Sequence, residues 1–354
     1  MNLFSRLRRE VFSVIDMLNK LCLICGVSGR EERVREYIKR YAEPFASEIR
    51  GDTAGNLFVF VKGEKRRNKK LMVCAHMDEI GMIINGITDD GYLKFAFAGG
   101  VDRRVAIGKR VLVGDKELPG VIGIRAVHLT TREERKKTPK LSELYIDIGC
   151  DKKSEAEKLV SLGDWAAFDS KPRLLGKNKI KARALDDRFG CAVMMKLMSE
   201  KLKYDTWFVF TVQEEVGCRG AVSASYSLSP QIALVLESTT AADTPAAQGA
   251  SRVCTQGGGA VIGCMDLGAI YDKKLFSVMR SLAEENGIKW QIKTRVAGGT
   301  DAQKVIVSRA GVRTASISIP TRYIHSPSCV ADIRDIEASL ALAREFVNCD
   351  EEKF

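Results

Sequence analysis

Histidine is scarce in this chain: three in 354 residues, His76, His128 and His325. Any metal centre must therefore be built mostly from carboxylates or thiols, and the position of each imidazole carries information. No run of 18 or more apolar residues occurs, which excludes a conventional membrane-spanning helix. The first ten residues, Met1 to Glu10, are charged and lack the apolar core of a signal peptide. Leu3, Leu7, Val11, Val14, Ile15 and Leu18 recur there at helical spacing, which predicts a surface helix. The ten cysteines form no framework and lie in apolar segments, as reduced, buried thiols of a cytoplasmic protein do. Cys22 and Cys25 make a CxxC with no second pair, inside an apolar helical run, so a core role is expected rather than a zinc or redox one. Internal repeats and low-complexity tracts are absent. Basic residues exceed acidic ones, giving a net charge of +11, but they gather in two short runs, Lys65 to Lys70 and Arg132 to Lys140. Both read as solvated loops, and without interleaved aromatics they argue against nucleic-acid binding.

What is present is a globular composition, 45% hydrophobic and 29% charged, in a chain long for a single simple core. Residues 16–45 read as two helices separated by Gly26-Val27-Ser28-Gly29, the second starting near Glu31. Gly51 to Asn56 is a turn, and Leu57–Lys62 and Leu71–Ala75 are strands, the latter apolar enough to be buried on both faces. From about Ile80 to Pro172 short apolar runs alternate with glycine-rich turns, the pattern of a small β-rich unit, with one short helix over Ser154–Leu162. An α/β rhythm returns after residue 180: helix Asp187–Lys203, strand Trp207–Gln213, a helix start at Ala221–Tyr226, strand Ile232–Leu236, helices Lys273–Asn286 and Ala302–Ser308, strand Thr314–Ile319 and helix Asp332–Asn348. The expected organisation is a discontinuous α/β catalytic domain, 1–79 and 173–354, interrupted by a β-rich insertion, 80–172.

Three clusters carry the chemistry. His76-Met77-Asp78 directly follows a buried strand, where ligands collect in open α/β sheets, and Asp78 can orient the imidazole by accepting its second N–H. Taken alone, the tripeptide also suits an ordinary hydrogen-bonded turn. Asp186-Asp187 stands just before a helix, so that one carboxylate can bridge two cations while the other caps the helix, or both simply make an acidic helix start. Glu214-Glu215 follows the strand Trp207 to Val212, where neighbouring side chains point to opposite sides. One can face a metal and the other a substrate, or both can lie in a solvated turn. Glu237 at the end of Ile232–Leu236 and His325 after Pro320-Thr321-Arg322-Tyr323-Ile324 complete the set. Each is weak singly, but all fall at strand ends or in the loops that follow. Together they can hold two divalent metals and leave one carboxylate free for proton transfer. The set points to metal-dependent hydrolysis. His128 lies in the β insertion beside a basic run with no acid or cysteine cluster, and a structural or interface role is expected of it.

Longer stretches resemble the M42 family of metallo-aminopeptidases, the glutamyl or deblocking enzymes related to TET peptidases. They are Ala75 to Gly81, Ala184 to Gly190, Gln213 to Ala221, Ala242 to Pro245, Gly298 to Ala302 and Ile319 to Pro327, in order along most of the chain. The resemblance implies a mixed-sheet dinuclear-metal peptidase domain with helices on both faces and a barrel-like or PDZ-like dimerisation insertion. It implies two divalent ions, zinc or cobalt, roughly 3.5–4 Å apart. His76 would bind one ion, Asp186 both, and Glu215 and His325 the second. Glu214 would act as general base and Asp78 as the partner of His76. Glu237 occupies a ligand position that is usually aspartate in the family; glutamate also coordinates, with one extra methylene. Gly257-Gly258-Gly259-Ala260 lacks the family's usual proline after the glycines. Peptide substrates, self-assembly into a homo-oligomer such as a twelve-subunit tetrahedral shell, and removal of N-terminal residues follow from the same resemblance. The alternatives are a deacylase of N-modified amino acids or peptides, an endoglucanase-like hydrolase, for which two opposed carboxylic acids and no metal would be needed, and a catalytically silent paralogue.

Overall fold

The computed structural model describes residues 14–354 apart from residues 246, 248 and 297. Most of the helix expected from Leu3 onward lies outside the described residues; its continuation, residues 14–21, is helical. Among the described residues the strands form one mixed eleven-stranded sheet and one closed six-stranded barrel. The sheet runs in the order Glu48–Gly51, Leu57–Val61, Thr206–Thr211, Leu71–His76, Ile232–Thr240, Arg313–Arg322, Cys329–Asp332, Lys179–Ala182, Arg173–Leu175. Ala260–Ile262 and Trp290–Ile292 pair off the side of Arg313–Arg322. The four central strands, from Thr206–Thr211 to Arg313–Arg322, are mutually parallel.

These strands read as unbroken apolar runs because both faces are covered. Leu71, Val73 and Ala75 point to one side with Phe208, Phe210, Ile232 and Leu234. Helices Leu185–Met198, Lys273–Glu285 and Ile333–Val347 pack there. Met72 and Cys74 point to the other side with Val209, Ala233 and Val235, under helices Arg219–Leu228 and Ala302–Val305. Helix Glu32–Ala42 buries Val34, Ile38 and Ala42, one face at a spacing of four. Asp272 and Asp332 cap their helices by accepting the Leu275 and Arg334 N–H groups.

The barrel closes in the order Gly81–Ile87, Leu93–Ala98, Leu144–Asp147, Leu118–Ile124, Arg110–Val113, Trp165–Phe168. It has its own apolar core, built from alternate residues such as Met82, Ile84, Val111, Val113, Ile122 and Phe168. His128 is exposed in a short helical turn of this unit, Val127–Leu129. No helix among the described residues is long and apolar enough to cross a membrane.

Several expectations need adjustment. The helices expected over 154–162, 187–203 and 302–308 end early, at Ala156, Met198 and Val305. Past the first two ends the chain still reaches the core through Val160 and Leu202, but in non-helical conformation, so an apolar residue at helical spacing overstates the helix there. Strand Ile232–Thr240 runs three residues beyond Glu237, because pairing with Arg313–Arg322 continues to Thr240 after pairing with Leu71–His76 stops at Val235. The run Lys65 to Lys70 is not wholly solvated. Arg67 is buried, donates to the Val347 carbonyl at 2.7 Å and lies over the Tyr204 and Phe354 rings. Cys22 and Cys25 are buried free thiols beside Arg183, as expected of core residues.

Candidate active site

The cleft opens where the central strands separate. Beyond Val235 the strand Ile232–Thr240 no longer pairs with Leu71–His76, and His76 and Glu237 face each other across the gap. His76 ends its strand and is buried. Its Nδ1 lies 3.1 Å from the Asp78 carbonyl and 3.4 Å from Asp78 Oδ1, which turns Nε2 inward. Asp78 is wholly buried and saturated. Its Oδ2 accepts from the Ser28 hydroxyl at 2.6 Å and from the Glu215 N–H at 3.2 Å, and its Oδ1 accepts from the Glu214 N–H at 3.0 Å. One carboxylate thus positions both the imidazole and the two glutamates.

Asp186 and Asp187 precede the regular part of helix Leu185–Met198, joined by a cis peptide. Asp187 accepts the Gly190 N–H through Oδ1, while its Oδ2 is buried without a hydrogen-bond partner among the described residues. Gly190 makes the close approach possible: a Cβ there would stand 2.4 Å from Asp187 Oδ2 and 2.7 Å from the Ala75 Cβ.

The contacts have a consistent spacing. His76 Nε2 is 3.4 Å from Asp186 Oδ1 and 3.5 Å from Glu237 Oε1; His325 Nε2 is 3.4 Å from Asp186 Oδ2 and 3.3 Å from Glu215 Oε2. These are long for charge-assisted hydrogen bonds, which cluster at about 2.7–2.9 Å. They are the separation expected of neighbouring ligand atoms around one cation, since tetrahedral bonds of about 2.0–2.1 Å put them about 3.4 Å apart. Asp186 offers one oxygen to each imidazole, the arrangement a bridging carboxylate needs. His76, Asp186 and Glu215 also lie within ligand reach of one another, as do His76, Asp187 and Glu237. The residues therefore fit divalent metal. The fit rests on this spacing, on the orphaned Asp187 oxygen and on a donor set of imidazoles and carboxylates.

The electrostatics agree. Burial pushes His76 down, but Glu237, Asp186 and Asp78 outweigh it and raise its pKa well above the usual imidazole range. His325 is raised to about 9, chiefly by Asp186. Burial and neighbouring carboxylates push Asp187, Glu215 and Glu237 up. Asp186, although buried, is held low by the two histidines. Glu214 is raised to about 7 by burial, against the pull of His76. So many buried acids call for positive charge among them.

All seven residues expected from the sequence converge here: His76, Asp78, Asp186, Glu214, Glu215, Glu237 and His325. Sequence reasoning did not single out Asp187 as a candidate ligand, nor did it see Cys218, Thr211 or Asp301. Asp301 is buried and accepts from the Thr211 hydroxyl; it lies in Gly298 to Ala302, one of the stretches that carry the resemblance, and the glycines before it were the available signal. Beside the acids lies a cavity of about 320 Å³, lined among others by Asp266, Tyr271, Lys293, Thr300 and Gln303. The barrel reaches the site as well. Gly99 and Gly100 pass so close that a Cβ would come within 3.2 Å of Glu215 and 3.1 Å of His325 Nδ1, respectively.

Residues 55–342 match the family model described as M42 glutamyl aminopeptidase. A putative aminopeptidase of Acetivibrio thermocellus is 40% identical over 340 residues, 96% of this chain and 99% of that protein. Among solved structures, an aminopeptidase from the archaeon Desulfurococcus kamchatkensis superposes with a TM-score of 0.91 at 36% identity, covering 96% of each chain. The TET1 peptidase of Pyrococcus horikoshii, described as able to assemble into a tetrahedron or a large octahedral shell, gives a TM-score of 0.84 at 37% identity, over 95% of this chain and 99% of that one.

Proposed function

The chain belongs to the M42 peptidase family, and on that premise we propose that it is a dinuclear metallo-aminopeptidase that removes N-terminal residues from peptides. The observation that carries the reading is the bridging position of Asp186, with one oxygen 3.4 Å from each of two imidazoles. His76, Asp186 and Glu237 would hold one divalent ion, and Asp186, Glu215 and His325 the other. When bound, the ions, zinc or cobalt, supply Lewis acidity that polarises the scissile carbonyl and acidifies a water.

The rest is done by the chain's own side chains. Glu214 accepts the proton of the attacking water on its carboxylate and returns it to the leaving amine. Its pKa, raised to about 7, suits both halves of that transfer. Asp78 is a positioning residue: it fixes the tautomer and direction of His76 and, through two backbone N–H groups, the placement of Glu214 and Glu215. The adjoining cavity receives the N-terminal residue's side chain. The insertion 80–172 serves self-association, and the TET-like relatives favour a closed homo-oligomeric shell.

The test is a panel of aminoacyl-p-nitroanilides with zinc or cobalt, and again with chelator. Chelator-sensitive release is expected, and Glu214→Gln should keep its metal yet lose turnover by roughly 10²-fold or more. Normal turnover in that variant removes Glu214 as base. Metal-loaded protein that cleaves no member of the panel refutes the aminopeptidase reading and favours a deacylase.

A further inference from the structure

We propose that Glu214, Cys218 and Asp301 form a third cation site, specific for thiophilic divalent ions such as zinc, cobalt or cadmium, and that filling it takes the base out of use. The last clause rests on the proposed function; the binding site does not. Oxygen, sulfur and oxygen of these three side chains lie within 4.8 Å of one another. Cys218 Sγ is 3.2 Å from Glu214 Oε1, and both Cys218 and Asp301 are 1% exposed. One Asp301 oxygen accepts from the Thr211 hydroxyl at 2.5 Å, whereas the other is buried with no hydrogen-bond partner among the described residues. A buried carboxylate oxygen without a donor wants a cation.

The surroundings are those of a built ligand set. Gln303 Nε2 donates to Cys218 Sγ at 3.1 Å, and Thr211 supports Asp301, so two of the three ligands are oriented from behind. Cys218 stands at the N-cap position of the ten-residue helix Arg219–Leu228 without making a side-chain cap bond, and burial together with Asp301 and Glu214 holds it as the thiol until a cation is present. Neither imidazole belongs to this group, and the thiol separates it chemically from the histidine–carboxylate cluster: soft ions gain most from sulfur. On binding, the Cys218 S–H proton passes to solvent as the S–metal bond forms, with no change of oxidation state. Glu214, coordinated through its carboxylate, can no longer accept a proton.

The experiment is a cobalt titration of protein already holding two equivalents, read without substrate by the near-ultraviolet thiolate-to-cobalt charge-transfer band. A third equivalent should bind with that band, and turnover of an aminoacyl substrate should fall in step with it. Cys218→Ser should abolish the band and weaken the third equivalent about ten-fold or more; Asp301→Asn should weaken it similarly while keeping the band at higher cobalt. Three results overturn the site: no third equivalent, a third equivalent without the band, or an unchanged band in Cys218→Ser, which would mean that another thiol such as the exposed Cys264 binds. A band that grows while turnover stays constant overturns the capture of the base. Protein that shows the band but cleaves no peptide refutes the aminopeptidase reading instead.

Discussion

Replacing Asp78 by asparagine removes little volume and one charge, and its cost can be worked from the contacts. Each Asp78 oxygen accepts one backbone N–H, Glu214 through Oδ1 and Glu215 through Oδ2. An asparagine keeps one acceptor oxygen. Whichever way the amide is turned, its NH₂ confronts one of those two N–H groups. Ser28 can rotate to accept from an NH₂ at the Oδ2 position, whereas an NH₂ at Oδ1 would also confront the protonated Nδ1 of His76; a backbone amide has no freedom to turn in either case. One buried donor is left unsatisfied, at about 1–3 kcal/mol, and the other hydrogen bonds lose a charged acceptor. The expected loss is about 3 kcal/mol in the metal-free protein. A second effect falls on metal: with His76 less firmly oriented, affinity should drop by roughly 10–100-fold. Equilibrium urea unfolding of metal-free protein and competition with a chromophoric chelator measure the two separately. Metal-free stability within about 0.5 kcal/mol of wild type, the range of an ordinary surface substitution, would refute the reasoning.

His325→Ala removes a proposed ligand whose side chain is 41% exposed, so the fold should survive while metal content falls; an unchanged metal-to-protein ratio by elemental analysis would remove His325 as a ligand. Asp335 accepts from the Gly257 and Gly259 N–H groups, and burial raises it to about 6. Because its folded pKa exceeds the unfolded value of about 4, the unfolded chain releases this proton first. Wild type should therefore lose stability relative to Asp335→Asn as pH rises from about 4 to about 6, with a constant difference outside that window. Wild type gaining stability relative to Asp335→Asn across the window would contradict the assignment.

The site was legible wherever chemistry sits at the end of an apolar run. His76, Glu214 and Glu215 could be found because the strands before them are unmistakable, whereas Asp186-Asp187 alone also suits an ordinary acidic helix start and gains weight only from the stretch Ala184 to Gly190 that carries the resemblance. Their convergence was less visible, since it depends on which strands are neighbours. The order of Thr206–Thr211, Leu71–His76 and Ile232–Thr240 is set by crossover connections that periodicity does not encode. Glu237 shows the limit: the sequence pattern ended its strand at Leu236, yet the ladder continues to Thr240 on one side only, and that one-sided departure opens the cleft. Arg67 shows another. A guanidinium in a basic run reads as solvated until the distant carbonyl and rings that receive it are known. Asp301 and Cys218 lie side by side only in three dimensions, 83 positions apart by their numbering.

The passage of Gly99 and Gly100 beside Glu215 and His325 bears on how this molecule could be rebuilt. A replacement barrel of the same topology would still have to thread two residues without side chains past Glu215 and His325. An alanine at position 100 would need His325 to yield by a few tenths of an ångström, and one at position 99, where φ is +90°, would also strain the backbone. The inserted unit is therefore not an interchangeable appendage: it forms part of the wall against which Glu215 and His325 are aligned, and, if these two bind metal as proposed, chimeras that ignore those two positions should fold yet hold metal poorly.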